Sequence, residues 1–147
     1  MNEKWQERTR LLAGEKTLER YANAHVLVVG LGGVGAYAAE QLCRAGIGEM
    51  TIVDADNVDI TNINRQLLAT TESIGTSKVS VMAQRLRSIN PDIRLHEVHE
   101  FLRDEGTIRL LESTKFDYVV DAIDTLSPKV FLIYFTMKMN IPLVSAM

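Results

Sequence analysis

Apolar residues in this chain fall in short unbroken runs separated by helically spaced stretches, and that alternation sets the expected fold. His25 to Val29 is a β-branched run without polar alternation, as in a strand buried on both faces. Gly30-Leu31-Gly32-Gly33-Val34-Gly35 follows at once, and Ala36 to Ala45 has helical spacing with Gly46 at the helix-ending C′ position. Glu49 to Val53 repeats the strand pattern, with Asp54 at its carboxyl end. Ser77 can cap a helix whose apolar stripe is Val79, Met82, Leu86 and Ile89, and Asn90-Pro91 ends it. Ile93 to Val98 alternates apolar and polar positions like an edge strand. Asp104 can cap a helix to about Glu112, and Phe116 to Val120 is a further buried strand, closed by Asp121. Pro128 suits the first turn of a helix to Lys138, which Asn140 can end in the left-handed conformation. Ile141 to Ala146 is the last strand.

Two amphipathic helices, Asn2 to Leu12 and Glu15 to Asn23, are expected ahead of the first strand. Trp5, Leu11, Leu12, Leu18 and Tyr21 would form their apolar faces, with Arg8, Arg10 and Arg20 on the polar side. The strand-helix repeat with right-handed crossovers predicts an α/β fold: a Rossmann-like, doubly wound, mainly parallel sheet with helices on both faces and an N-terminal helical segment, residues 1–23.

Composition narrows the classes. A length of 147 residues predicts one domain with a sizeable core, and 46% hydrophobic with 24% charged residues is ordinary for a globular protein. The net charge of −3 gives no global basic field for nucleic acid, so any such surface must be local. No run approaches the roughly 20 apolar residues of a membrane span, and the polar start is no signal peptide. A single cysteine, Cys43, excludes an internal disulfide and a multi-cysteine zinc site, and the cytoplasm is the default address. Cys43 sits among apolar helix neighbours and reads as core. His25, His96 and His99 have no ligand spacing and read as structural or exposed. Because the chain stops directly after an apparent strand, residues 1–147 are expected to be the N-terminal part of a longer protein, and inactive if the remainder completes the site.

Strand, glycine turn, helix, strand and acid together make a nucleotide-binding βαβ unit. Gly30 makes the tight turn, Gly32 lets backbone N–H groups approach a phosphate, and Gly35 lets the helix pack on the strand. Asp54, 24 positions after Gly30, is spaced to hydrogen-bond ribose hydroxyls, with Asp56 as the alternative. Residues 57–66 are rich in turn formers and leave the sheet edge where ligands bind; Asp54, Arg65, Lys78, Asp121 and Asp124 all leave strand carboxyl ends or open helices. A triphosphate carries roughly four negative charges, so attack at its α-phosphorus needs cations held in place. Arg65 and Lys78 can supply two, and Asp124 can hold Mg²⁺ against the phosphate oxygens. Such a set suits adenylation better than hydride transfer. Either Asp121 or Asp124 can instead cap the next helix.

The order Gly-x-Gly-Gly-x-Gly, Val53-Asp54-Ala55-Asp56, Thr61 to Gln66, Gly75 to Lys78 and Asp121 to Asp124 resembles the ThiF/MoeB/HesA adenylating enzymes, relatives of the ubiquitin-activating enzymes. The Asn-x-x-Arg-Gln element, Asn62 to Gln66, with the lysine at the next helix start, is more specific than the glycines. The resemblance implies ATP and Mg²⁺. Its expected nucleotide contacts are Gly30, Gly32, Gly33, Gly35, Asp54, Asp56, Asn62, Arg65, Gln66, Lys78 and Asp121. Catalysis would rest on Arg65, Lys78, Asp124 as the magnesium-linked acid, and Arg10, which would reach the triphosphate from the neighbouring subunit of a homodimer.

Within the family, Arg8 to Lys16, Arg44 to Gly48, Arg87 to Pro91 and Asp124 to Lys129 resemble the tRNA threonylcarbamoyladenosine dehydratase branch. That likeness implies ATP-dependent activation of the threonylcarbamoyl carboxylate on adenosine 37 of tRNA, followed by ring closure with loss of AMP. Activators of protein tails tend to have Asp-Asn where this chain has Asp124-Thr125, and commonly carry Cys-x-x-Cys zinc motifs. Two alternatives stay open: adenylation of the C-terminus of a ubiquitin-like sulfur carrier with a sulfur-transfer partner, and, from the βαβ unit alone, an NAD-dependent oxidoreductase.

Overall fold

The computed structural model describes residues 3–146. The expected helix start at Asn2 lies outside them, as does Met147. A 3₁₀ turn at Glu3–Gln6 leads into α1 (Glu7–Ala13) and α2 (Glu15–Asn23). There follow β1 (His25–Val29), α3 (Gly35–Ala45), β2 (Glu49–Val53), a 3₁₀ turn at Ile60–Asn62, α4 (Lys78–Ile89) and β3 (Arg94–Val98). The chain then runs through α5 (Asp104–Ser113), β4 (Tyr118–Asp121), α6 (Leu126–Lys138) and β5 (Leu143–Ser145). The five strands pair in parallel in the order β3-β2-β1-β4-β5. This is the Rossmann-like, doubly wound sheet that the hydrophobic pattern predicts. Among the described residues no helix is long and apolar enough to cross a membrane.

All five residues of β1 are buried, because helices cover both faces of the central strands. Val26, Val28, Met50 and Ile52 join the core beneath α3 and α4, while Leu27, Val29 and Val53 join a second core with Leu111 of α5 and Leu132 of α6. Local signals hold at most ends. Gly46 takes φ 100° after α3, Asn140 takes φ 56° after α6, and Ser77 Oγ accepts from Ser80 N at the start of α4. β3 is an edge strand, as its alternation predicts.

Three expectations change. The N-cap of α5 is Arg103, without a side-chain bond; Asp104 is the first helical residue, at φ 41°, and its charge sits in the first turn. β5 is shorter than expected because the chain pairs with β4 only at residues 143–145. The N-terminal helices bury far less than their pattern suggests. Leu18 is buried, but Leu11 and Leu12 are 75% and 90% exposed, and α1 buries no residue.

Glu40 joins α3 to α4 through charge. Its buried carboxylate takes Arg44 Nη2 at 2.8 Å on one oxygen and the Arg85 guanidinium on the other. The hydrogen bond from Arg85 holds its pKa below the ordinary value of 4.5, with Arg44 adding to the effect. A depressed carboxylate contributes stability above its unfolded pKa and loses it as pH falls through the folded one. Urea denaturation of Glu40→Gln should therefore show a loss of about 1–3 kcal/mol near neutral pH. The gap to the parent protein should close as the medium is taken below the carboxylate range.

Candidate functional site

The strand order reverses between β1 and β4, so their carboxyl ends leave a crevice. A cavity of about 460 Å³ occupies it, lined by the glycine turn, the ends of β1 and β2, the loops after β3 and β4, and Lys78 of α4. Two glycines are fixed by the protein itself. Gly30 has φ 92°, and a Cβ there would lie 2.6 Å from the Ala122 carbonyl oxygen. A Cβ on Gly35 would lie 1.6 Å from the Gly30 carbonyl oxygen. Gly32 and Gly33 differ: a Cβ would meet nothing nearer than 3.7 Å, in each case a side-chain atom of Gln66 or Arg65. Neither packing nor a positive φ demands glycine at these two positions. They face the cavity just ahead of the start of α3, the end of a helix that favours an anion.

Asp54 ties the turn to β2. Leu31 N donates to its Oδ2 at 2.7 Å and Asp56 N to its Oδ1 at 2.8 Å, and the carboxylate lines the cavity. Asp56 lines it too, 72% exposed, with its Oδ2 3.4 Å from Lys78 Nζ. The Lys78 side chain is only 6% exposed, a buried ammonium at the start of a helix. That is an unfavourable place for a cation unless an anion comes close.

The loop after β2 presents Arg65 and Gln66. A capping box between Asp59 and Asn62 starts its 3₁₀ turn, and the Asn62 carbonyl accepts from Arg65 N and Gln66 N. Arg65 is exposed, its Nη1 donating to Thr61 O at 3.1 Å and Asn64 Oδ1 at 2.9 Å. Gln66 is buried, lines the cavity and keeps an Oε1 without a hydrogen-bond partner. An unsatisfied buried polar atom on a cavity wall is a place for a ligand donor.

Some expected contacts lie off the cavity wall. Asn62 is turned into its own loop, and Gly35 serves helix packing. Asp121 is fully buried, its Oδ2 bound by Lys129 Nζ at 2.5 Å and Ser145 Oγ at 2.6 Å, while its Oδ1 accepts from Ile123 N. It braces the loop whose Ala122, Ile123 and Asp124 do line the cavity. Neither Asp121 nor Asp124 caps α6, whose N-cap is Thr125. Arg10 pairs with Glu15 at 2.8 Å, also away from the cavity of its own chain. Cys43 is core, its thiol pushed up to about 11 by burial.

Sequence reasoning missed Glu100, Phe101 and Leu102, which wall the cavity from the loop after β3, and Lys129 beneath it. The first three leave the carboxyl end of a predicted strand, which was the available signal. Lys129, mid-helix, carried none. Four carboxylates (Asp54, Asp56, Glu100, Asp124) and two cations (Arg65, Lys78) thus face a half-apolar crevice. The arrangement can take a ribose through acids, a base against Phe101 and Leu102, and phosphates at the glycine turn.

Known proteins resemble this chain over nearly its whole length. The ThiF family model matches residues 6–147. The tRNA threonylcarbamoyladenosine dehydratase of Escherichia coli is 43% identical over 148 residues, which cover 99% of this chain and 55% of that protein. The Bacillus subtilis protein of that name is 42% identical over 140 residues, 95% of this chain and 55% of its own length. The crystal structure of the E. coli dehydratase, TcdA, in complex with ATP superposes with a TM-score of 0.94 at 43% identity, over 97% of this chain and 58% of the other. The chain therefore spans a little over half the length of these relatives.

The buried pair beneath the cavity makes a stability prediction. Lys129→Met leaves the Asp121 carboxylate buried without its cation, which should destabilise the fold by about 3–5 kcal/mol in urea denaturation. A loss under about 1 kcal/mol would mean that Ser145 and the Ile123 amide suffice to hold the charge.

Proposed function

The chain belongs to the ThiF family, and from that premise we propose that it is an ATP-dependent adenylating enzyme acting on the threonylcarbamoyl carboxylate of adenosine 37 in tRNA. The observation that carries the reading is the pair Gly32 and Gly33, open toward the cavity, with the buried ammonium of Lys78 on the same cavity wall. A relative solved with ATP, similar over nearly the whole chain, supports a nucleoside triphosphate over a nicotinamide.

A substrate carboxylate oxygen attacks the α-phosphorus and the bond to pyrophosphate breaks, leaving an acyl adenylate. The carbamoyl group of the same side chain then attacks the activated carbon, AMP departs and the ring closes, a step favoured by proximity. Asp54, fixed by Leu31 N and Asp56 N, holds the ribose. Arg65, Lys78 and Gln66 position the phosphates, and Asn62 contributes through the loop that carries them. Charge that builds on the leaving pyrophosphate is met by Arg65 and Lys78.

The residues present fit Mg²⁺. Asp124 is exposed on the cavity wall, with an oxygen accepting a long 3.4 Å bond from Thr125 Oγ1. Asp124 would hold the ion, which would neutralise phosphate charge that two cations leave unbalanced. We assign the working form as a cytoplasmic homodimer, in which Arg10 of a second copy completes the triphosphate site. Exposed Leu11 and Leu12 beside Arg10 offer apolar surface for such a contact.

The test is release of AMP and pyrophosphate by the full-length enzyme with threonylcarbamoyl-modified tRNA, unmodified tRNA or none. Turnover should require the modified tRNA, and Arg65→Ala should lower kcat/KM about a hundredfold. Silence with every tRNA but pyrophosphate exchange with a ubiquitin-like carrier would shift the assignment to carrier activation. A narrower check uses Gly33→Ala. It should stay within about 1 kcal/mol of the parent in stability, since its Cβ meets ordinary contacts, yet bind ATP about tenfold more weakly in calorimetry.

A further inference from the structure

Away from the nucleotide cavity, the amino-terminal ends of β1 and β2 and the middle of β3 gather His25, Glu49 and His96. One ligand atom from each lies within 4.8 Å of the others. The parallel register does this. His25 is paired with Glu49 and Thr51 with His96, so side chains two residues apart on neighbouring strands share one face. We propose that these three side chains form a binding site for a divalent transition-metal ion of the zinc type, with water completing its coordination.

Two imidazoles and one carboxylate are a donor set suited to such ions, and three protein ligands leave a position for solvent. Ligand atoms around a tetrahedral zinc stand roughly 3.3 Å apart, given metal–ligand bonds of about 2.0–2.1 Å. Here Glu49 Oε1 lies 3.7 Å from His25 Nδ1 and 2.7 Å from His96 Nε2, distances on either side of that value. Small side-chain rotations would bring the three atoms onto one ion.

The surroundings already orient the ligands. His25 Nε2 is hydrogen-bonded to Thr51 Oγ1 at 2.8 Å, leaving Nδ1 toward Glu49. Arg94 Nη2 and Nε reach Glu49 Oε2 at 3.1 and 3.3 Å, so Oε1 is the oxygen turned to the histidines. Partners of this kind fix ring and carboxylate direction around bound metals. Burial keeps His25 toward its neutral, metal-binding form despite nearby Glu49 and Asp117, and the His96 and Arg94 bonds hold Glu49 ionised. His96 is 53% exposed, which gives an ion its way in and water its place. Five residue steps along the chain from His25 to Gly30 separate the cluster from the glycine turn, roughly 16 Å. The ion would clasp edge strand β3 to β2 and β1, away from the phosphates.

The test is zinc titration of the full chain, stripped with chelator and without nucleotide, by calorimetry and thermal melting. One saturable zinc per chain and a raised Tm are expected. His96→Ala, a change at an exposed side chain, should weaken binding about tenfold or more and abolish the thermal shift. His99→Ala and Asp124→Asn should leave both unchanged. Absence of saturable binding, or binding that survives His96→Ala, would overturn the proposal and leave the cluster as an ion-pair network around Glu49.

Discussion

The site hangs from a backbone contact. Gly35 at the start of α3 lies so close to the Gly30 carbonyl that a Cβ would stand 1.6 Å from its oxygen, and Gly30 in turn lies against the Ala122 carbonyl. Three segments, the turn after β1, the first turn of α3 and the loop after β4, meet where neither glycine has room for a side chain. Side chains at Gly30 or Gly35 would force them apart and open the crevice floor. Asp54 then fastens the far side by accepting from Leu31 N, so β2 is drawn to the same turn. The cavity is what three converging backbones leave between them.

Polar groups around it divide by burial. Asp121 has no exposure and finds its partners, Lys129 and Ser145, within the protein; it can shape the loop that carries Asp124 but has little left for a ligand. Asn62 is likewise occupied inside its turn. Arg65 and Asp124 are exposed on the wall, and Gln66 keeps a buried oxygen unsatisfied. The second set is where binding energy remains to be gained. Residues of one short motif can thus hold different roles: in Asn62 to Gln66, one end builds the loop and the other addresses the cavity.

Much of this was legible in the sequence because local rules decide it. The unbroken run at residues 25–29 follows from helices on both faces of β1, and Gly46, Ser77 and Asn140 act as their backbone preferences dictate. Long-range placement was harder to read. Nothing in the order of residues says that Lys129 reaches back eight positions to Asp121 instead of facing solvent, or that Phe101 closes the cavity from an edge loop. His25, Glu49 and His96 showed no ligand spacing because they are not close in sequence; strand register alone aligns them. The error at Leu11 and Leu12 is of another kind. An amphipathic pattern shows that a face prefers burial, not which surface buries it.

That exposed helix bears on the chemistry. The cavity offers four carboxylates against two cations, a balance that welcomes a ribose and resists a triphosphate of roughly four negative charges. Binding a nucleotide there requires positive charge from outside the cavity wall. In the proposed assembly a divalent ion on Asp124 would supply part of it, and Arg10 of a second copy would supply more. Arg10 stands on α1 between apolar residues that its own chain leaves uncovered and a glutamate that already holds its guanidinium. In the proposed homodimer the fold would present the nucleotide while assembly completes the charge, and activity would then follow the association state of the protein more closely than ATP binding does.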